Sequence, residues 1–185
     1  MPASSFPVSG PNDDPRLMMV GGIEGPKPAI WIWQPASVQF RTLQYSVPGA
    51  SGADAAELVV SVFPRGQIGP VAANLERWRG QFVDDDGAPS KAEARTIEVN
   101  GLTVHEIELE GSYRGMVAAT MKKNQKQLGA IVIAPETEVF IRLLGPDETV
   151  EGARASWRTL IDNLRPSGAA GSASGANDEA GSSSG

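Results

Sequence analysis

The chain has 185 residues, with 16 Lys and Arg against 22 Asp and Glu, one histidine and no cysteine. The formal net charge of -6 argues against nucleic acid as the main ligand, because phosphate binding needs clustered Lys and Arg. The missing cysteines exclude disulfides, thiolate catalysis and cysteine-ligated metals, and a lone His105 cannot build a multi-histidine metal centre. No apolar run reaches the roughly 20 residues that a membrane-spanning helix needs.

The composition predicts one domain between two ends of different character. Residues 1–28 are interrupted by prolines and should form a flexible N-terminal segment. Residues 167–185 consist mostly of Gly, Ser and Ala and should form a disordered tail. Residues 29–166 are long enough for a self-sufficient core. The sequence as written begins without the features of a signal peptide, which favours the cytoplasm, or the envelope if a signal peptide precedes this start.

Three strands are predicted in the first part of the domain. Aromatic and β-branched residues at 29–33 and 38–47 indicate two strands, each followed by a proline within a few residues. Residues 57–63 indicate a third strand that is buried on much of both faces. A loop with two glycines follows at residues 64–69.

The first predicted helix begins at Pro70, where a missing N–H has no cost. Its apolar residues recur at helical spacing and form one stripe that includes Trp78. Its polar residues fall on a neighbouring stripe: Asn74, Arg77 and Gln81.

A hairpin follows, with Asn100-Gly101 between arms at 95–99 and 102–110. This dipeptide suits a type I′ turn, in which both central residues have positive φ. The second arm alternates apolar residues with three glutamates, which predicts a sheet with one solvated face.

Two further strands, Gly115–Met121 and Leu128–Ala134, are predicted around a polar turn at Lys122–Gln127, and Val139–Leu144 is the last strand. A second amphipathic helix, capped by Asp147 or Thr149, carries Trp157 on its apolar stripe and ends before Pro166. Trp78 and Trp157 should both lie in the core. Helices on a mainly antiparallel sheet predict an α+β sandwich.

Several segments of this chain resemble a bacterial family of uncharacterised proteins that often carry a lipoprotein or secretory signal. That family resembles the photosystem accessory protein PsbP and the Ran-binding Mog proteins in fold. The resemblance covers about residues 30–165, with Ile68 in place of a usual glycine and Arg142 in place of a usual lysine. It implies an α+β fold that binds partners and has no common active site. The matching segments are 56–60, 66–69, 74–82, 128–131 and 140–146.

No group of residues forms a recognisable catalytic set. His105 lies on a predicted strand without a nucleophile elbow or an equivalent, which indicates a structural or surface histidine. The acidic turn at 84–87 lacks the frame of a calcium loop, and the glycine loop at 66–69 lacks the lysine of a phosphate-binding loop. The sequence therefore indicates no catalytic residue, no cofactor and no metal site.

The polar stripe of the first helix is the best candidate for a specific role. Asn74, Arg77 and Gln81, together with Arg142, are candidates for a surface that contacts a protein partner. The stripe also fits a solvated helix face, or a hydrogen-bond network that fixes the glycine loop. The lysines of the predicted polar turn should form a solubilising basic tip, or touch an anionic membrane surface: Lys122, Lys123 and Lys126.

We therefore expect a non-enzymatic binding or accessory module whose partner is a protein or an envelope component. Two alternatives stay open. One is a carrier of a small molecule or lipid, which needs an apolar cavity between sheet and helix. The other is an enzyme of unrecognised type that uses His105 and nearby carboxylates. The sequence indicates no oligomeric state.

Overall fold

The computed structural model describes residues 6–36, 38–115 and 121–168. It shows the predicted α+β fold, in which the strands pair antiparallel. A large sheet has the strand order β3-β4-β5-β10-β9-β8-β6, with β7 also paired to β8, and a small sheet has the order β1-β2-β11. The strands are β1 (Leu17–Val20), β2 (Ile23–Pro26), β3 (Ile32–Gln34), β4 (Leu43–Val47), β5 (Ala56–Pro64), β6 (Phe82–Val83), β7 (Ala92–Val99), β8 (Leu102–Tyr113), β9 (Lys122–Ile133), β10 (Thr137–Pro146) and β11 (Arg165–Pro166); the helices are α1 (Val71–Arg79), α2 (Asp147–Gly152) and α3 (Arg154–Asp162).

The large sheet is packed on both faces. Alternate residues of a strand point to opposite faces, and β10 shows the division clearly. Ile141 and Leu143 join the core under α2, α3 and the small sheet, whereas Phe140 and Leu144 pack on the side of α1. The domain therefore has two apolar cores, one on each side of a central sheet.

Both helical tryptophans lie in the core, as predicted. Trp78 of α1 is 2% exposed and packs edge-on against Phe140, with ring centroids 5.7 Å apart. Trp157 of α3 is 3% exposed and belongs to the core on the opposite face. The predicted second helix is two helices, because the helical path is interrupted at Ala153. Within the described ranges, no helix combines the length and apolarity that crossing a bilayer requires.

The expectation that residues 1–28 form a flexible segment outside the domain does not hold for residues 17–26. These residues form the hairpin β1–β2, and Met18, Val20 and Ile23 are fully buried in the larger core. Gly21 and Gly22 have positive φ and make the turn that joins the two strands. The predicted disordered tail at residues 167–185 lies outside the described residues from position 169 onward. At its start, the amide of Ser167 donates to the carbonyl of Gly22 at 2.9 Å.

The polar turn predicted at Lys122–Gln127 is wrong, because β9 runs without interruption from Lys122 to Ile133. Its partner β8 is equally long, and the two pair in register from Thr103↔Ile133 to Glu110↔Lys126. Residues 122–127 are all polar, so no apolar alternation in the sequence indicates that the strand extends through them. Residues 116–120 of the strand predicted before this turn lie outside the described residues.

The Asn100-Gly101 turn is confirmed, since both residues have positive φ and join β7 to β8. The predicted solvated face of β8 is wrong, because Glu106 is buried and Glu108 is half-buried beneath α3. The strands predicted at 29–33 and 38–47 are shorter in the structure and correspond to β3 and β4.

Candidate functional site

The candidate site is centred on Arg142, which lies on β10 in the middle of the large sheet. In the antiparallel register, Arg142 stands opposite Gly129 of β9 on one side and Val59 of β5 on the other. Its neighbours along the strand, Ile141 and Leu143, face the opposite core. Strand alternation therefore sends the guanidinium to the side of α1.

The absence of a side chain at Gly129 lets α1 approach this part of the sheet. A Cβ at that position would lie 2.8 Å from Cζ3 of Trp78, closer than carbon atoms pack. The Trp78 ring therefore lies over Gly129, and its centroid is 5.2 Å from Cζ of Arg142. This distance permits a cation–π interaction between the indole and the guanidinium.

Two glutamine side chains hold the Arg142 guanidinium. Nη2 donates to Oε1 of Gln81 at 2.6 Å and to Oε1 of Gln127 at 2.6 Å, and Nε donates to the same Gln127 oxygen at 3.0 Å. Gln127 is fully buried, and its Nε2 makes no hydrogen bond in the described part of the chain. Among the described residues, Arg142 forms no salt bridge. The hydrogen bonds that its guanidinium donates there go to the neutral amides of Gln81 and Gln127.

The electrostatic surroundings of Arg142 are unfavourable to its charge. Burial lowers the pKa of the guanidinium, and the positive charges of Arg77 and Arg41 act in the same direction, while Tyr113 opposes them. Arg77 is exposed on α1, and Arg41 precedes β4. We call Arg41, Arg77 and Arg142 with their amide partners Gln81 and Gln127 the arginine face.

The four candidate residues from the sequence do not all meet. Arg142 and Gln81 are in direct contact, and Arg77 lies near enough to affect the Arg142 charge. Asn74 is only 4% exposed and turns to the glycine loop instead, where its Nδ2 donates to the carbonyls of Ile68 and Pro70 at 3.1 Å each. The position of Asn74 agrees with the alternative prediction, in which the polar stripe of α1 fixes the glycine loop by hydrogen bonds.

Arg41 is held between an amide and a carboxylate at the border of the arginine face. Its Nη1 donates to Oε1 of Gln44 at 3.0 Å, and it lies 3.5 Å from a carboxylate oxygen of Glu57. The Glu57 side chain is about half exposed, so this ion pair contributes little stability. Arg41 therefore adds positive charge at this border, and the Glu57 carboxylate offsets part of it.

A second polar cluster lies on the opposite face, between the sheet and the helices. Lys126 is buried among four carboxylates and bonds to Glu151; burial disfavours its charge, but the carboxylates outweigh burial and raise its pKa. Arg154 bridges Glu108 and Glu151, and Arg158 donates to Glu106 at 2.9 Å. The prediction of an exposed basic tip is thus wrong for Lys126. Each of these cations is paired with at least one carboxylate, which is the pattern of a structural ion-pair network.

His105 and the helix–sheet cleft bear on the two alternative functions. His105 is half-buried, and its Nδ1 is 3.0 Å from Oγ1 of Thr96 on β7. His105 is absent from the walls of four cavities that the described residues form. The cleft between β7, β8 and α3, about 770 Å³, has many charged side chains in its wall, including Arg154 and Arg158. Neither arrangement favours a histidine-dependent enzyme or a lipid carrier.

The comparisons with known proteins concern the fold. No family model matches the chain. No curated protein matches it either. Among solved structures, the chain is similar to the protein of unknown function PA94 from Pseudomonas aeruginosa, with a TM-score of 0.50 and 13% identity over 70% of this chain and 85% of that one. It is also similar to the cyanobacterial PsbP protein CyanoP from Synechocystis, with a TM-score of 0.49 and 13% identity over 86% of this chain and 98% of that one.

Sequence reasoning missed two residues of the arginine face, Arg41 and Gln127, and also Gly129, which lies beneath the ring of Trp78. Gln127 was assigned to a turn, and Gly129 was treated as an ordinary strand residue. Because β9 begins at Lys122, the residues Gln125, Gln127, Gly129 and Ile131 fall on one face of the sheet. A glycine within such a pattern marks a close approach by another group, here the ring of Trp78.

Proposed function

We propose that the protein is a non-enzymatic binding module whose arginine face holds an acidic segment of a protein partner. The single observation that carries the proposal is the environment of Arg142. Its guanidinium is positioned by Gln81 and Gln127 and bonds to neutral amides rather than to a carboxylate within the described residues. A fixed cation with uncompensated charge is suited to an anionic group supplied from outside.

The arrangement has the physical features of a protein-binding hot spot. Arginine is one of the residue types most often found at such positions, and here the Arg142 guanidinium is held against the buried ring of Trp78. The glutamines fix the guanidinium before a partner arrives, so little side-chain entropy is lost on binding. Exposed Arg77 adds a second positive charge that can steer an acidic segment towards the face.

The net charge of the chain restricts where an acidic segment can bind. A chain with a net charge of -6 repels polyanions in general, so an acidic segment can bind only where positive charge is locally concentrated. Arg41, Arg77 and Arg142 provide such a concentration on one side of the large sheet. Binding to this face should weaken with added salt, because the contacts are between charges.

The test uses a polyglutamate peptide as the probe and ¹H–¹⁵N NMR of the full chain as the readout. At low salt, the peptide should shift the side-chain amide signals of Gln81 and Gln127 and the indole signal of Trp78. The variant Arg77→Gln should weaken binding about twofold to fivefold, since a charged contact between exposed groups contributes up to about 1 kcal/mol.

Arg16→Gln is the matched control, because Arg16 is exposed but lies beside the N-terminal hairpin on the other side of the domain. It should bind the peptide as the wild type does. Equal weakening by both variants would show unspecific attraction, and an absence of shifts at Gln81 and Gln127 would remove the basis of the proposal. Binding that is unaffected by Arg77→Gln also contradicts it.

A further inference from the structure

A separate pocket of about 280 Å³ lies between the N-terminal loop, residues 9–15, and the first strands of the large sheet. It is distinct from the arginine face and shares no residue with it. Its volume is several times the roughly 30 Å³ that one water molecule takes in the liquid. Aromatic and acidic side chains form much of its wall: Trp31, Trp33, Tyr45, Asp13 and Asp14.

The hydroxyl group of Tyr45 is the unexplained feature of this pocket. Tyr45 is 2% exposed, and its buried hydroxyl oxygen makes no hydrogen bond in the described part of the chain. The pKa of Tyr45 is raised, mainly by burial; the nearby Ser9 side chain opposes the shift and the Asp13 charge adds to it. Tyr45, Ser9 and Asp13 all line the pocket. Buried polar groups in folded proteins nearly always have a partner, and a ligand can supply one here.

Lys27 forms part of the wall, but all three N–H donors of its ammonium group already bond to carbonyl oxygens. Its Nζ donates to the carbonyl of Pro15, to that of Trp31 at 2.9 Å and to that of Pro28 at 3.2 Å. The same ammonium lies 4.6 Å from the centroid of the Tyr45 ring. Because its three donors are used, Lys27 cannot bind an anionic ligand, and the ring of carbonyl oxygens shields its charge.

The other polar groups of the wall are mainly acceptors. Oδ2 of Asp13 accepts from the amide of Gly10 at 2.7 Å, and Oδ1 of Asp14 accepts from the amide of Arg16 at 2.9 Å. Each carboxylate keeps capacity for further donors, because its two oxygens can accept about four hydrogen bonds. The indole N–H of Trp33 already donates to the carbonyl of Ser9 at 3.1 Å. The pocket therefore offers aromatic surface and oxygen acceptors, with a net negative charge.

We propose that this pocket binds a small primary organic ammonium ion. Its N–H groups would donate to the Asp13 carboxylate and to the Tyr45 oxygen, and its alkyl chain would lie against Trp31 and Trp33. Aromatic rings and carboxylates together are the usual surroundings of bound organic cations. This site does not depend on the arginine face, so either proposal can fail without the other.

The test uses butylammonium as the probe and the indole ¹H–¹⁵N signals of the full chain as the readout. The signals of Trp31 and Trp33 should shift on titration, while those of Trp78 and Trp157, which are not in the wall of this pocket, should not. Tyr45→Phe should weaken binding about fivefold through loss of one hydrogen bond, and Asp13→Asn about tenfold through loss of a charged one. Asp85→Asn, which removes an exposed carboxylate on the turn before β7, should leave binding unchanged.

Butan-1-ol serves as the neutral probe of nearly equal size. The proposal requires that butylammonium bind at least tenfold more tightly than butan-1-ol. Equal binding of the two, an absence of shifts at Trp31 and Trp33, or wild-type affinity in either Tyr45→Phe or Asp13→Asn would overturn it. Because Tyr45→Phe removes only an oxygen that has no partner, this variant should fold as the wild type does, and its near-ultraviolet circular dichroism checks that it has.

Discussion

Substitution of Gly129 by alanine should destabilise the domain, although glycine-to-alanine changes in strands usually stabilise. The new Cβ would lie 2.8 Å from Cζ3 and 3.1 Å from Cε3 of Trp78, and 3.0 Å from Nε2 of Gln127. Carbon atoms pack best at about 3.5–4.0 Å, so the added methyl group overlaps the ring by about 0.7 Å. Trp78 is 2% exposed and packs against Phe140, so the ring cannot simply withdraw.

The expected magnitude follows from two opposing effects. Overpacking of a well-packed core costs about 1–3 kcal/mol. Replacing glycine by alanine restricts the unfolded chain and stabilises by about 0.4–1 kcal/mol where the backbone allows it. We therefore expect Gly129→Ala to reduce the free energy of unfolding by about 1–2 kcal/mol net. For a domain of this size, each kcal/mol lowers the Tm by about 2–4 °C.

A double-mutant cycle, followed by urea denaturation, isolates the contact between the two residues. Trp78→Phe removes the ring atoms that the new methyl group meets, so Gly129→Ala should cost at least about 1 kcal/mol less in that background. Gly152→Ala is the control, because a Cβ at Gly152 has no heavy atom within 4 Å. An equal cost of Gly129→Ala in both backgrounds, or a Gly129→Ala variant as stable as the wild type, would refute the reasoning.

Three further predictions concern the N-terminal hairpin, the ion-pair cluster and the glycine loop. Met18→Ala should lower the free energy of unfolding by about 2–5 kcal/mol in urea denaturation, because Met18 is fully buried. A loss below about 0.5 kcal/mol would show that the N-terminal hairpin contributes little to the core. The contacts with Arg154 and Lys126 lower the pKa of Glu151 from 4.5 to about 2, so the charged carboxylate stabilises the fold above pH 4.5, and this stabilisation should vanish as the pH falls towards 2. Urea midpoints of the wild type and Glu151→Gln, measured between pH 7 and pH 2, should therefore converge at the acid end, and a constant gap contradicts the assignment. Asn74→Ala removes both hydrogen bonds to the glycine loop and should cost about 1–3 kcal/mol and accelerate tryptic cleavage at Arg65; unchanged cleavage would show that other contacts hold the loop.

Local patterns predicted most elements of this fold, because each element buries its own periodic stripe. The stripe with Trp78, the Asn100-Gly101 turn and the buried strand β10 depend on neighbours within a few residues, and all three appear where the sequence places them. The errors arose where a distant segment decides the outcome. The hairpin at residues 17–26 is stable because it packs against α3, and a Cβ at Gly25 would lie 2.9 Å from Leu160.

The candidate site was only partly accessible to sequence reasoning. Arg142 and Gln81 were singled out, but they lie on different elements, and only the sheet register shows that Gln127 and Gly129 stand beside Arg142. The pocket beside Tyr45 was not foreseen, because it requires the N-terminal loop to return to the sheet. The aromatic residues at 31–33 were read as a strand, and nothing local distinguishes a ring that lines a pocket from one that fills a core.

The small sheet joins the first strands of the domain to the last one. Glu24 pairs with Arg165 and Ile23 with Pro166, so residues more than a hundred positions apart in the chain stand opposite each other in the small sheet. On the ribosome, the hairpin β1–β2 is synthesised long before β11 exists to complete that sheet. The apolar side of the hairpin therefore stays exposed until synthesis of the domain is finished. In the finished protein, Phe6 and Ser167 both lie beside Gly22 at the turn of this hairpin, so the first and last described parts of the chain are close together.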